Sequence, residues 1–222
     1  MKEIILDTET TGLSVKDGHR IVEIGCIELD NLVPTKNIFH CYLNPERKVS
    51  EKAFEVHGYS DQFLSNKKKF FEIADDFLNF IKDKKIIIHN AEFDISHLNN
   101  ELSIAGKPEI NKEHTVDTLD LARNKFPGSG ISLDALCKRF RIDNSKREKH
   151  TALIDCELLA KVYINLLDQK EPKLNFSNSV GINSIETQNK NITYSKKIVY
   201  PTSEELEQHR EFLKRDLKKN FY

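Results

Sequence analysis

Ile4-Ile5-Leu6-Asp7-Thr8-Glu9-Thr10-Thr11-Gly12 carries a short apolar run directly into two carboxylates one residue apart. The run is too short for a helix and β-rich enough to predict a strand buried on both faces. Side chains on a strand alternate faces, so Asp7 and Glu9 project from the same one. Like charges side by side at a strand end repel each other. A divalent cation converts that repulsion into a binding site, because Mg²⁺ takes a few carboxylate oxygens and keeps several waters. An isolated Asp-x-Glu is a common pattern and by itself reads as two solvent-facing side chains. Partners elsewhere in the chain decide between the two.

The 222 residues allow one good-sized domain and an appendage. Hydrophobic residues make up 38% of the chain, below the roughly 45–50% of an ordinary globular protein. Charged residues reach 31%, against about 25%, so part of the chain lacks a core of its own. No stretch approaches the ~18 apolar residues of a membrane span. The N-terminus enters strand-like sequence at once, which predicts neither a signal nor a transit peptide. Cys26, Cys41, Cys137 and Cys156 are widely spaced with no Cys-x-x-Cys, predicting reduced thiols in a cytoplasmic protein. Cys156 reads as a buried bystander. A net charge of −1 excludes a globally basic nucleic-acid binder. The charge is uneven: −4 over residues 1–168, +1 over 169–194 and +2 over 195–222. The basic runs Lys67–Lys69, Lys82–Lys85 and Lys146–Lys149 each read as a solvated face or loop.

After the first strand and an Asp17-Gly18 turn, a second strand is expected over 21–29 and a third over 39–43, ending at Asn44-Pro45. Residues 50–59 form a short helical or irregular segment. Phe70, Phe71, Ile73, Ala74, Phe77, Leu78 and Ile81 recur at helical spacing and predict a helix over 70–82. Ile86-Ile87-Ile88 is a short buried strand, and the helix after it stops at Gly106 and Pro108. A strand at 115–118, a helix to Phe126, a helix capped by Ser132 and a strong helix over 152–168 complete the pattern. Three strands followed by alternating helices and strands predict a mixed α/β sheet. From Pro172 the pattern collapses into an Asn/Ser/Thr-rich linker, and a last helix begins after Pro201 with Thr202 or Ser203 as its cap. That helix has too few apolar residues for a core and is expected to dock on something.

Two further acids stand at element boundaries: Asp94 after the 86–88 strand, and Asp155 in the first turn of the long helix. His150 precedes Asp155 by five residues, about 140° away around an ideal helix, so to share a site it must sit on the preceding loop. Taken singly, the two acids read as helix-dipole partners and His150 as a loop residue. In combination, Asp7-x-Glu9-Thr10-Thr11-Gly12, His89-Asn90-Ala91-x-Phe93-Asp94 and His150-x-Ala152-x-x-Asp155 resemble the DnaQ-like (DEDD) 3′–5′ exonucleases. The His, in place of a Tyr, selects a subgroup of these enzymes, and within it the sequence specifically resembles the epsilon proofreading subunits of bacterial DNA polymerase III. Ser132-Leu133-Asp134-Ala135-Leu136-Cys137 and Ile142-Asp143-Asn144-Ser145-Lys146-Arg147 extend the likeness, which covers about residues 3–168 and, more loosely, 196–217.

The resemblance implies a ribonuclease-H-like, five-stranded sheet of order 3-2-1-4-5 over 1–168, a flexible linker over 169–200 and a C-terminal helical segment over 201–222. It implies two divalent ions, Mg²⁺ or Mn²⁺, on Asp7, Glu9 and Asp155, with Asp94 helping directly or through water. His150 is the implied general base, imidazole being able to accept a proton at neutral pH. The implied product is a nucleoside 5′-monophosphate from a DNA 3′ end. Thr10 and the glycine turn, Val56 and His57 are expected around the terminal nucleotide. Lys52 stands where the family often carries Glu, which implies a Lys–phosphate contact or a one-residue slip onto Glu51. His89 and Asn90 are expected to orient the site, and Phe93 reads as core. The tail implies a polymerase alpha-subunit partner. A sliding clamp, met by Glu171-Pro172-Lys173-Leu174-Asn175-Phe176 without the usual leading Gln, and a small theta-like subunit are further implied partners. An RNA-trimming exonuclease of the same fold shares these motifs. A non-cutting polymerase-stabilising subunit would not need the full set of five residues.

Overall fold

The computed structural model describes residues 2–145, 147, 149–168 and 200–217. The chain divides into two units, residues 1–174 and 175–222. The first is built on β1 (Lys2–Thr10), β2 (Ile21–Asp30), β3 (Val33–Tyr42), β4 (Lys85–Ile88) and β5 (Thr115–Asp117) in the order β3-β2-β1-β4-β5. The first three strands pair antiparallel, while β4 joins β1, and β5 joins β4, in parallel. This is the expected mixed sheet.

Five of the helices connect or cover these strands: α1 (Glu51–His57), α2 (Asp61–Ser65), α3 (Ala74–Ile81), α4 (Ala91–Ile104) and α5 (Thr118–Lys125). Then come α6 (Leu133–Phe140) and α7 (Ala152–Leu166). The pleat of β1 sorts its side chains between two apolar layers. Ile4 and Leu6 pack with Phe77, Ile95, Leu98 and Leu102 of α3 and α4. Ile5 packs on the other face with Leu136, Leu159 and Val162 of α6 and α7. Each such fully buried aliphatic side chain contributes about 1.5–3 kcal/mol. By the same alternation Asp7 and Glu9 leave the strand on the α7 side and Thr8 on the α4 side.

Two expectations change. The third strand starts at Val33 rather than Phe39, because Asn31 and Leu32 adopt φ of 50° and 66° and close a tight hairpin onto β2. Pro34 is tolerated there because β3 is the sheet edge. The helix over 70–82 breaks in two: Phe70–Glu72 is a single 3-10 turn, and α3 starts at Ala74. The Glu72 carboxylate accepts the Lys69 backbone N–H at 2.7 Å, and Phe71 is left exposed.

In the second unit α8 (Ser203–Phe212) is capped by Thr202, whose hydroxyl accepts from Glu205 N at 3.3 Å while Glu205 returns a carboxylate to Thr202 N at 2.7 Å. Leu206 and Phe212 on it are exposed. The expected linker apart from Tyr200, the clamp-like segment 171–176 within it, and residues 218–222 of the C-terminal segment lie outside the described residues. Among the described residues no helix is long and apolar enough to cross a membrane. All four cysteines are free, and the Cys156 thiol is buried against the Gly25 carbonyl at 3.2 Å.

Candidate active site

Asp7, Glu9, Asp94, His150 and Asp155 line one cleft of about 430 Å³, at the end of β1 where the N-termini of α4 and α7 converge. Ligand atoms of Glu9, His150 and Asp155 all lie within 4.8 Å of one another. His150 sits on the loop before α7, as the helical-angle argument requires. Its backbone N–H donates to the Val56 carbonyl at 3.2 Å.

Close approach of α7 to the sheet is what brings Asp155 to the pair on β1. Gly25 of β2 pairs with Asp7. A Cβ there would lie 2.7–2.8 Å from the backbone of Ala152 and Leu153, which cannot yield without moving the helix. From the other layer, α4 begins at an Asn90 with φ 73°, and the Asp117 carboxylate accepts the backbone N–H groups of Asn90 and Ala91, both at 3.0 Å. Thr8, only a spacer in the sequence motif, holds Asp94. Its backbone N–H and hydroxyl both donate to Asp94 Oδ1, at 3.0 and 2.7 Å.

The carboxylates are strongly perturbed. Burial, followed by the charges of Asp94 and Glu9, raises Asp7 well above the ordinary carboxylate value. Burial and the Asp155 charge push Glu9 up to about 8. Burial raises Asp94 to about 7 despite the hydrogen bonds from Thr8. Asp155 goes the other way: burial alone would raise it, but His150 and Arg147 together hold it below its usual value. Oxygen-rich carboxylates pressed together, with an imidazole alongside, are the donor set a hard divalent cation takes.

Arg147 corrects the reading of the 146–149 run as a solvated loop. Its side chain is only 8% exposed. It forks onto Asp155, Nε to Oδ1 at 2.5 Å and Nη2 to Oδ2 at 2.6 Å, and Nη1 pairs with Asp134 at 2.9 Å. Nη2 also lies 2.8 Å from His150 Nδ1. The same Nδ1 lies 3.4 Å from Asp155 Oδ2, so the ring nitrogen stands between the guanidinium and the carboxylate. No periodicity could have identified Arg147, since its neighbours in sequence are equally charged.

A second cleft of about 480 Å³ adjoins the first along Thr8, Glu9 and Phe93. Thr10, Gly12, Lys52, Val56 and His57 line it, and Lys52 is exposed at its edge. The Thr10 hydroxyl donates to the Gly12 carbonyl at 2.7 Å, and Gly12 makes room for the His19 ring. His57 is buried with its Nδ1 accepting from Tyr59 N at 3.0 Å. Phe93 is half-buried at the seam of the clefts, against the expectation of core, with its ring 4.6 Å from His97. His89 lines the first cleft. The Thr118 hydroxyl donates to the Ile88 carbonyl at 3.1 Å and so accepts from His89 Nδ1 at 2.9 Å.

The family model described as "Exonuclease" matches residues 4–163. DNA polymerase III subunit epsilon of Rickettsia conorii is 50% identical over 224 residues, covering 98% of this chain and 97% of the relative. Among solved structures, Exonuclease X in complex with 5′ overhanging duplex DNA is 26% identical with a TM-score of 0.59, covering 75% of this chain and 92% of that one. The nuclease domain of 3′hExo, a DEDDh family member bound to rAMP, shares the fold at 17% identity and a TM-score of 0.66, covering 78% of this chain and 96% of that one. With a sheet of this order, this carboxylate cluster and similarity along nearly its whole length, the chain belongs to the exonuclease family and, within it, to the epsilon subunits of DNA polymerase III.

Proposed function

We propose that this protein is the 3′–5′ proofreading exonuclease of a bacterial DNA polymerase III, removing mismatched 3′-terminal nucleotides as 5′-monophosphates. The observation that carries this reading is the single cleft in which β1, α4, α7 and the loop before α7 bring Asp7, Glu9, Asp94, Asp155 and His150 together. Members of this family work with divalent metal ions. Two of them, Mg²⁺ or Mn²⁺, held by Asp7, Glu9, Asp155 and Asp94, would activate the attacking water and stabilise the leaving 3′ oxygen.

The chain's own residues supply the rest. His150 accepts the proton of the attacking water. Thr10, Val56 and His57 enclose the terminal nucleotide in the second cleft, and its scissile phosphate reaches past Glu9 into the first, where Asp7 and Asp155 face it. Lys52 at the rim offers an ammonium to a backbone phosphate. Unpaired 3′ ends enter at less cost than paired ones, which gives mismatch selectivity without base reading. Residues 1–168 form the nuclease domain and 169–200 the linker. The segment 201–222 docks α8 on the polymerase alpha subunit through its exposed Leu206 and Phe212. The sliding clamp, through residues 171–176, and a small theta-like subunit are further partners in this reading.

The test is excision from matched and mismatched DNA 3′ ends and from short RNA, with Mg²⁺ or a chelator, alone and with the alpha subunit. Faster release from mismatched DNA, abolished by the chelator and by Asp7→Ala, is expected. Equal release from RNA and mismatched DNA would overturn proofreading, and an Asp7→Ala variant cutting at the wild-type rate would overturn the site.

A further inference from the structure

Asp155 stands on one side of Glu9 and His57 on the other, on segments far apart in sequence, and a single buried carboxylate joins them. Glu23 of β2 pairs across from Glu9 and is fully buried. Its Oε2 accepts the backbone N–H of Ala152 at 2.9 Å and the hydroxyl of Tyr59 at 2.8 Å. Its Oε1 lies 2.7 Å from His40 Nε2, which must be the protonated ring nitrogen because a carboxylate only accepts.

Each partner leads to a working part of the site. Ala152 is the first residue of α7, whose first turn carries Asp155. Tyr59 donates its backbone N–H to His57 Nδ1 at 3.0 Å and stacks on the His57 ring with centroids 4.8 Å apart. His40 anchors the arrangement to the edge strand. A carboxylate at this point is electrostatically expensive: after burial and Asp155, its charge is the next contributor raising Glu9. Packing alone would be served better by an apolar side chain.

We propose that Glu23 is a positioning residue that couples the two halves of the active site, fixing through Ala152 where Asp155 stands and through Tyr59 where His57 stands. It touches neither the reacting atoms nor the nucleotide. The inference rests on the assignment of Asp155 to the metal cluster and of His57 to the nucleotide cleft.

The experiment measures Mn²⁺ affinity without DNA, together with kcat and KM on a 3′-mismatched oligonucleotide, for Glu23→Ala, Glu23→Gln, Tyr59→Phe and Asp155→Asn. Loss of a residue that orients a ligand typically costs about 10–100-fold in metal affinity or activity. Glu23→Ala is expected to weaken Mn²⁺ binding on that scale and to raise KM. Glu23→Gln, which retains the shape and can still accept from Ala152 and Tyr59, recovers most of both. Tyr59→Phe cuts the link from Glu23 to His57, along with a hydroxyl contact to Tyr42, and leaves the Ala152 bond in place, so KM rises while Mn²⁺ affinity stays. Glu23→Ala that lowers thermal stability but leaves Mn²⁺ affinity and KM unchanged would overturn the proposal, as would a Gln variant as impaired as the Ala variant. If Glu23→Ala does not fold, an unchanged KM in Tyr59→Phe overturns it and a raised KM supports it. Asp155→Asn separates the two levels. Undiminished Mn²⁺ binding in that variant removes the metal assignment itself, whereas its loss beside an unaffected Glu23→Ala removes only the coupling.

Discussion

Asp94 and Asp155 occupy the same structural position on opposite layers of the sheet, each in the first turn of a helix that ends at β1, yet they live in opposite electrostatic settings. Asp94 is held by two neutral donors of Thr8 and is raised by burial to about 7. Asp155 is gripped by a guanidinium and lies next to an imidazole, and it sits below its ordinary value. The α4 layer offers a carboxylate that resists its own charge. The α7 layer offers one whose charge is already compensated. A cation entering the cleft relieves repulsion at the first and competes with Arg147 at the second.

The contrast breaks most visibly in a pair of isosteric substitutions. Both Asp94→Asn and Asp155→Asn should lower the cutting rate at least ~100-fold, because each removes a carboxylate from the proposed metal site. In chelator-treated protein their stabilities should move in opposite directions. Asp155→Asn leaves the buried Arg147 with only the exposed Asp134 as an ionic partner and costs roughly 3 kcal/mol, while Asp94→Asn removes repulsion against Asp7 and raises the melting temperature. Denaturation curves of the two variants that shift in the same direction would show the two settings to be alike.

Gly25→Ala tests whether the α7 half depends on close approach. The added methyl meets Ala152 backbone at 2.7 Å, so overpacking should cost about 1–3 kcal/mol. Displacement of Asp155 should lower kcat by up to ~100-fold. Equivalent activity would mean that α7 is not wedged against β2.

The pH dependence sharpens the comparison further. Glu9 at about 8 and Asp94 at about 7 bind protons in the folded chain that the unfolded chain has already lost. Stability without cations should therefore fall as pH rises from about 5 to about 8. Asp155 is depressed, so its contribution is complete above its ordinary value and is lost only in acid. Added Mn²⁺ should flatten the alkaline decline, and Asp94→Asn should flatten part of it without metal. A melting temperature that climbs over the same window would reverse the sign.

The smallest effect is expected for Thr8→Val. It removes the 2.7 Å hydroxyl donor to Asp94 but leaves the backbone N–H in place. A loss of about 1 kcal/mol or less in apparent metal-binding free energy is expected by calorimetry, with kcat reduced several-fold at most. A complete loss of activity would give Thr8 a larger part than holding Asp94.

The sequence by itself determined the strands and helices of a mixed sheet, and its resemblance to the exonucleases supplied the strand order and joined the five candidate residues into one proposed site. Local signals placed the residues without assigning them: the two-residue period of Asp7 and Glu9, the element ends at Asp94 and Asp155, and the angular argument placing His150 on a loop. The hairpin at Asn31-Leu32 and the break before Ala74 escaped because neither carries a glycine or proline to mark it. Only the tertiary structure decided what surrounds the five. Thr8 lies 86 residues from Asp94 in sequence, and Glu23 lies 129 from Ala152. Gly25 is required by a helix that arrives much later in the chain, and Arg147 lies among similar charges with nothing local to mark it as the one that turns inward. Periodicity and capping reach only a few residues along the chain. Hydrogen bonds, close approach and burial act between segments that folding alone brings together, and they determine which of the paired carboxylates carries its charge at neutral pH.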